Sequence, residues 1–303
     1  MLPGLYVHIP FCRSKCPYCG FYSIPSSTPI DGWFDGLKRE GLYQKSLFGR
    51  FDSLYLGGGT PTFLNIKVLE QVMASLLDHF HLTPNAEITI EANPCDITRH
   101  KAEALKALGF NRINLGVQSF NDHVLKFLGR RHSSETAENA VTHLRSAGFK
   151  NIGLDLIYGL KAQSMKEWIA ILKRALSFQP EHLSCYQLTL EKGTVFDRRS
   201  HKNSMITLPE KTAAAHFLAT SSFLENKGYI HYEVSNFARN ERLESRHNRK
   251  YWNHTPYLGL GPSAHSFDGK KRWWNVRSVK KYRSALREGR LPIEGRESLT
   301  KEQ

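Results

Sequence analysis

The chain has 303 residues, 40% of them hydrophobic, which suits one α/β barrel with an appendage and a well-buried core. No uninterrupted apolar run approaches the ~20 residues of a membrane-spanning helix, so a soluble protein is expected. Lys and Arg outnumber Asp and Glu by 42 to 28, a formal net charge of +14. In the absence of a nucleic-acid motif, this excess is expected to be a solvated basic face or a surface for anionic ligands, and no nucleic-acid partner is expected.

In chain order, apolar strand-like runs begin at Leu5, Ser53, Glu87, Arg112, Asn151 and His182. Helical patterns lie between and after them at 65–80, 98–108, 133–147, 164–178 and 209–226. Gly109, Gly148 and Gly228 supply helix stops. Six βα units predict a parallel sheet with right-handed crossovers, and six rather than eight predict an incomplete barrel.

The first run ends in a loop holding Cys12, Cys16 and Cys19, three of the five cysteines. The C-terminal end of a strand is where parallel α/β folds place their chemistry. Thiolates spaced in this way can ligate three irons of a [4Fe–4S] cube and leave the fourth open to a substrate or cofactor. His8 four residues before Cys12 leaves a structural zinc reading open. A disulfide framework suits a clustered, odd set less well, and with no signal peptide evident a reducing, cytoplasmic location is expected. Cys95 and Cys185 stand alone and are expected to pack as small hydrophobes.

The second run ends in Gly57-Gly58-Gly59-Thr60-Pro61, where missing Cβ atoms would let backbone amides approach an anion or carboxylate. Further strand ends carry Glu91 and Gln118. Asp155 interrupts the apolar Gly-Leu-Asp-Leu-Ile, a position costly for a carboxylate without a partner.

The motif Cys-x3-Cys-x2-Cys after Tyr-Val-His-Ile-Pro-Phe resembles the cluster loop of the radical S-adenosylmethionine (SAM) superfamily. Within it, the chain is most similar to the branch of oxygen-independent coproporphyrinogen dehydrogenases (HemN) and HemW-type heme chaperones. The resemblance covers nearly the whole chain and implies a partial (β/α)6 TIM-type barrel. It further implies a [4Fe–4S] cluster on Cys12, Cys16 and Cys19, whose open iron chelates SAM and whose electron cleaves SAM to methionine and a 5′-deoxyadenosyl radical. The implied SAM contacts are Tyr6, Tyr18, Gly58, Gly59, Thr60, Glu91, Gln118, Arg130, Asp155 and Thr189. Among them, Glu91 and Asp155 would serve the ribose, Arg130 the carboxylate and Gln118 the adenosine.

Beyond the barrel, expected to span 1–235, lies a basic extension over 236–303. Its 16 Lys or Arg against 7 Asp or Glu carry +9 of the net +14. His247-Asn-Arg-Lys-Tyr251-Trp252 resembles a motif of the heme chaperones, which implies heme as a ligand, with His247 on the iron and Tyr251 and Trp252 beside the ring. Phe21 stands where the dehydrogenases carry a fourth cysteine, and only eleven residues precede Cys12; both favour the chaperone. The implied function is a cytoplasmic chaperone that binds heme and hands it to acceptor proteins, with an electron donor for the cluster. A homodimer and contact of the basic tail with a membrane surface are further expectations. The alternatives are a coproporphyrinogen III dehydrogenase and a zinc-binding, nucleic-acid-associated module. The tail from Glu297 reads as a helix start, with a small helical domain missing beyond it.

Overall fold

Alternation along the strands of the parallel series buries one apolar face on each. Leu5, Val7 and Ile9 mark it on Gly4–Ile9 (β1), Leu54 and Leu56 on Phe51–Gly58 (β2), and Ile90 on Leu82–Ala92 (β3). Ile113 and Leu115 mark it on Arg112–Gln118 (β4), Leu154 and Leu156 on Ile152–Tyr158 (β5), and Leu183 and Cys185 on His182–Gln187 (β6). The computed structural model describes residues 1–25, 30–161, 163–201 and 207–299.

Most of the accompanying helices start where short polar side chains satisfy free backbone amides. Ile30–Gln44 (α1) links β1 to β2, followed by Ile66–His79 (α2), Arg99–Ala107 (α3), Asp122–Phe127 (α4), Ser134–Ser146 (α5), Met165–Ser177 (α6), Val195–Ser200 (α7) and Glu210–Glu225 (α8). Asn65, Thr98, Ser133 and Ser164 cap α2, α3, α5 and α6, and Ser164 forms a reciprocal box with Glu167. Helices α2, α3, α5, α6 and α8 fall within a residue of the ranges read from periodicity, and no range is read for α1, α4 and α7.

Strands β1 to β6 pair in sequential parallel order, which is the barrel wall. The wall does not close on itself. Short strands Ile230–His231 (β7) and Asn236–Ala238 (β8) flank β6 in the order β6-β8-β7. After helix Arg246–Trp252 (α9), strand Tyr257–Leu260 (β9) pairs parallel to the free side of β1. His265–Phe267 (β10), Lys271–Asn275 (β11) and Ile293–Ser298 (β12) continue from it as an antiparallel ribbon, with Val279–Arg287 (α10) packed behind. The result is a twelve-stranded sheet among the described residues, running without a break from the barrel into the extension. No helix among these residues is long and apolar enough to cross a membrane.

One correction concerns the tail. The helix expected from Glu297 is instead the end of β12, where Glu297 pairs with Arg272 and Ser298 with Lys271; Thr300 to Gln303 lie outside the described residues. Cross-strand pairing over that ribbon prevails over a local capping pattern. The extension is also locked to the barrel from behind. Glu40 of α1, fully buried, accepts hydrogen bonds from the Gly261 amide at 2.7 Å, Asn275 Nδ2 at 2.6 Å and the Tyr282 hydroxyl at 2.6 Å.

Candidate functional site

The strand faces opposite the apolar core line the barrel lumen, and they are polar. Tyr6 and His8 come from β1, Ser53 and Tyr55 from β2, Glu87 and Glu91 from β3, Arg112 and Asn114 from β4, Asp155 from β5, and His182 and Ser184 from β6. Strands β1 to β6 all run toward the same end, which forms the mouth.

The cysteine loop leaves β1 at that mouth, and all three of its thiols are partly exposed. A backbone turn from Cys19 N to Cys16 O shapes it. Pro17 seats it against Gly129 and against α7, whose Phe196 amide donates to the Pro17 carbonyl at 2.9 Å. Cys12 Sγ lies 3.3 Å from Thr60 Oγ1, and Arg130 Nη1 points at Cys16 Sγ from 3.6 Å. Burial raises the thiol pKa of Cys12 and Cys19.

His8 is turned away from this loop. Its Nε2 donates to the Tyr22 carbonyl at 2.8 Å, so Nδ1 is the acceptor for the Tyr6 hydroxyl at 3.1 Å. Burial keeps the ring neutral by lowering its pKa to about 4. With Nε2 on the Tyr22 carbonyl and Nδ1 on the Tyr6 hydroxyl, His8 does not join the three thiols as a fourth ligand in this arrangement. Three thiols spread along a mouth loop suit the corners of a multi-iron cube better.

The glycine turn runs beside the loop, in a way that corrects one expectation. The Gly58 amide donates to Glu91 Oε2 at 3.1 Å, the Gly59 amide to the Ile9 carbonyl at 2.8 Å and the Thr60 amide to the Phe11 carbonyl at 2.8 Å. The turn therefore presents no row of free amides. Its glycines serve close approach: a Cβ on Gly58, at φ +108°, would meet the His8 ring at 2.6 Å, and one on Gly59 the Phe11 carbonyl at 2.7 Å.

Several expected contacts converge. Arg130 Nη2 donates to the Gly116 carbonyl at 2.7 Å while the Gln118 amide lies over the same glycine, placing both beside Cys16. His132 Nε2 bonds the Val117 carbonyl at 2.9 Å and braces this loop. Deeper, Glu91 also accepts from the Tyr55 hydroxyl at 2.9 Å. Burial pushes its carboxyl up to about 7, a rise that nearby Asp155 reinforces, and burial pushes Asp155 up to about 6. Asp155 Oδ1 and Arg130 Nε are buried without a partner among the described residues. One free carboxylate oxygen on Asp155 and one free N–H on Arg130 are groups that a zwitterionic nucleoside such as SAM would complete. Tyr18 is half-buried against Phe196, with ring centroids 6.4 Å apart. Thr189 stands outside, exposed and bonded to Glu191 at 3.0 Å.

The residues expected to hold heme lie elsewhere. Helix α9 plugs the opposite, N-terminal end of the barrel, where Glu87 accepts the amides of Arg246 and His247, each at 3.2 Å. His247 is 1% exposed and stacks under Tyr6 at 6.1 Å. One ring nitrogen meets Ser53 Oγ and the other the Tyr251 hydroxyl, both at 3.0 Å. Burial, with Lys250 adding to it, lowers its pKa to about 3. In this arrangement neither nitrogen is free for an iron. Tyr251, whose hydroxyl reaches His247, is 44% exposed, and Trp252 is 55% exposed.

Sequence reasoning missed Tyr55, Asn114, Arg112, His182 and Ser184 as lumen residues. The available signal was period two: each sits at an alternate position in an otherwise apolar strand.

Residues 6–175 match the Radical SAM superfamily. The chain is 36% identical to the heme chaperone HemW of Bacillus subtilis, covering 100% of this chain and 80% of that protein. It is 36% identical to the heme chaperone HemW of Synechocystis, covering 93% and 70%. Among solved structures, coproporphyrinogen III oxidase (HemN) from Escherichia coli, a radical SAM enzyme, superposes with a TM-score of 0.85 at 29% identity, covering 99% of this chain and 72% of that one.

Proposed function

The chain belongs to the radical SAM superfamily, with HemW heme chaperones at 33–36% identity among its relatives, and from that premise we propose that it carries heme to acceptor proteins. The observation that supports this best is the mouth itself. Three partly exposed cysteines stand beside Arg130, whose Nε is free, with a free oxygen of Asp155 deeper in the mouth, in a chain alignable with HemW proteins over most of its length.

In this reading Cys12, Cys16 and Cys19 hold a [4Fe–4S] cluster, which when bound supplies an electron and one iron open to SAM. Arg130 and Gln118 border that position and orient a carboxylate by charge and hydrogen bonding. Glu91 and Asp155 lie deeper, as acceptors for hydroxyl groups. Tyr55 and the Gly58 amide hold Glu91 in place, and Gly58 and Gly59 let the turn lie flat against the loop. Tyr6 braces His8 rather than reaching outward. An electron donor and heme acceptors are the partners this function requires.

The whole-chain likeness to HemN favours one second reading, oxidative decarboxylation of coproporphyrinogen III. Against it stands Phe21, 69% exposed, where the dehydrogenases carry a fourth cysteine.

One experiment separates the two. The anaerobically reconstituted protein is loaded with heme and mixed with an apo-cytochrome, while a parallel sample receives coproporphyrinogen III, SAM and a reductant. Heme moving to the cytochrome without vinyl product is expected. Decarboxylated product, with heme left unbound, would replace this reading with the second.

A further inference from the structure

Residues 10–25, which carry all three loop cysteines, contain two cations and no acid. Arg13 and Lys15, between the first two cysteines, are exposed, and so is Phe21, two residues past Cys19 and 69% accessible. A phenyl ring left this far out forgoes hydrophobic burial, and here the backbone that carries it is clamped. Lys15 Nζ donates to the Phe21 carbonyl at 3.0 Å. From the C-terminal extension, the exposed Arg277 donates through Nη2 to the Gly20 carbonyl at 3.2 Å. The two side chains thus grip consecutive carbonyls, and each spends its hydrogen bond on a neutral oxygen that leaves the charge uncancelled.

Arg13 extends this rim, with Nε 3.7 Å from Asp96, whose side chain is largely covered, and the guanidinium 5.6 Å over the Phe63 ring. Glu191 is an acidic neighbour: its side chain lies over Gly20, where a Cβ would meet Cγ at 2.9 Å, and the Thr189 hydroxyl holds it at 3.0 Å. The exposed Lys192 follows it. The face stays positive, in a chain whose net charge is +14. An exposed aromatic among cations has the anatomy of a protein-docking patch, an apolar anchor inside a charged rim. It protrudes, whereas small ligands are held in clefts. The Cα atoms of Cys19 and Phe21 can stand at most about 7 Å apart, so a protein seated on Phe21 touches the cluster loop itself. Glu91 and Asp155 lie deeper in the lumen, which leaves the outer side of the loop for that protein.

We propose that Arg13, Lys15, Phe21 and Arg277 form the docking face for an acidic one-electron carrier protein that reduces the cluster. The carrier, holding a low-potential flavin or iron–sulfur centre, is oxidised by one electron as the cluster is reduced by one, and no atom is transferred. Opposite charge speeds the encounter and makes it sensitive to salt. This rests on the reading of Cys12, Cys16 and Cys19 as cluster ligands and names the partner that serves them.

The test is stopped-flow reduction of the full, anaerobically reconstituted chain by reduced flavodoxin, an acidic flavin carrier, read as bleaching of the cluster absorbance. Titration of oxidised flavodoxin onto the unloaded chain reports docking without any redox step. Wild type is compared with Lys15→Glu, Arg277→Glu, Phe21→Ser, the conservative Lys15→Arg and a distant reversal, Lys227→Glu. Lys227 is exposed at the opposite end of the barrel, two residues before Tyr229, whose hydroxyl donates to the Pro180 carbonyl ahead of β6. Wild-type reduction is expected to slow as salt is added. Lys15→Glu and Arg277→Glu are each expected to slow it about tenfold and to weaken docking. Phe21→Ser is expected to weaken docking while keeping the salt dependence, and Lys15→Arg and Lys227→Glu to match wild type. Dithionite is expected to reduce every variant to the same extent, which reports an intact cluster. Equal flavodoxin rates in all variants, with that endpoint unchanged, would overturn the docking face and leave the cluster reading standing. Variants reduced normally by flavodoxin yet unable to pass heme to an apo-cytochrome would overturn the electron carrier as occupant in favour of a heme acceptor. Wild type that takes up no iron and sulfide would overturn both the face and the cluster reading.

Discussion

Glu40 has no exposed surface, yet it is a carboxylate. Three donors hold it, and burial still pushes its pKa up to about 7. Because the folded state binds this proton more tightly than the unfolded chain, the stabilisation is complete below the ordinary glutamate value and is lost as pH rises through 7. A rise from 4.5 to about 7 corresponds to about 3 kcal/mol at most. Urea unfolding of wild type from pH 5 to 8 is expected to show a falling midpoint, to which Glu91 and Asp155 add with the same sign. Glu40→Gln is expected to flatten that slope markedly, and an unchanged slope would remove Glu40 from the account. The cysteines were legible at this scale because a ligand set at fixed spacing is itself a sequence pattern. Glu40 was not, since its partners Gly261, Asn275 and Tyr282 lie over 220 residues away, in the loop after β9, in β11 and in α10.

Helix α9 shows how docking decides where the side chains of a sequence motif point. Its seven residues contain an imidazole, a tyrosine and a tryptophan among cations, a credible heme set by composition. Where they point is decided by docking. The Glu87 carboxylate receives the first two amides of the helix, and Lys250, fully buried, pairs with Asp52 at 2.6 Å while donating to the Leu2 carbonyl at 2.7 Å. Those contacts turn His247 into the lumen, where it meets Ser53 and Tyr251. His247→Ala is therefore expected to lower unfolding stability by about 3 kcal/mol, through a cavity and orphaned hydroxyls. A urea midpoint indistinguishable from wild type would contradict the plug role. The six barrel strands and five of the helices were legible to within a few residues because their apolar periods and caps are local. The ribbon β10 to β12 was not, since three short strands with mixed polarity carry little period-two signal and form only by pairing with one another.

At the scale of the molecule, one sheet carries both chemistry and extension. β1 stands between β2 and β9, so the strand that delivers the cysteine loop also anchors the ribbon bearing His265 and Trp274. The mouth is therefore built from both ends of the chain, with Arg277 reaching the Gly20 carbonyl across 257 positions. In the function proposed above, this mouth holds a SAM-accessible iron–sulfur cluster. The most direct measurement is iron and sulfide analysis after anaerobic reconstitution, with electron paramagnetic resonance of the reduced protein before and after SAM is added. About four irons and four sulfides per chain are predicted in wild type, with a signal that SAM alters, and loss of both in Cys12→Ala, Cys16→Ala or Cys19→Ala. Stoichiometric zinc without sulfide, or a cluster signal indifferent to SAM, would contradict it.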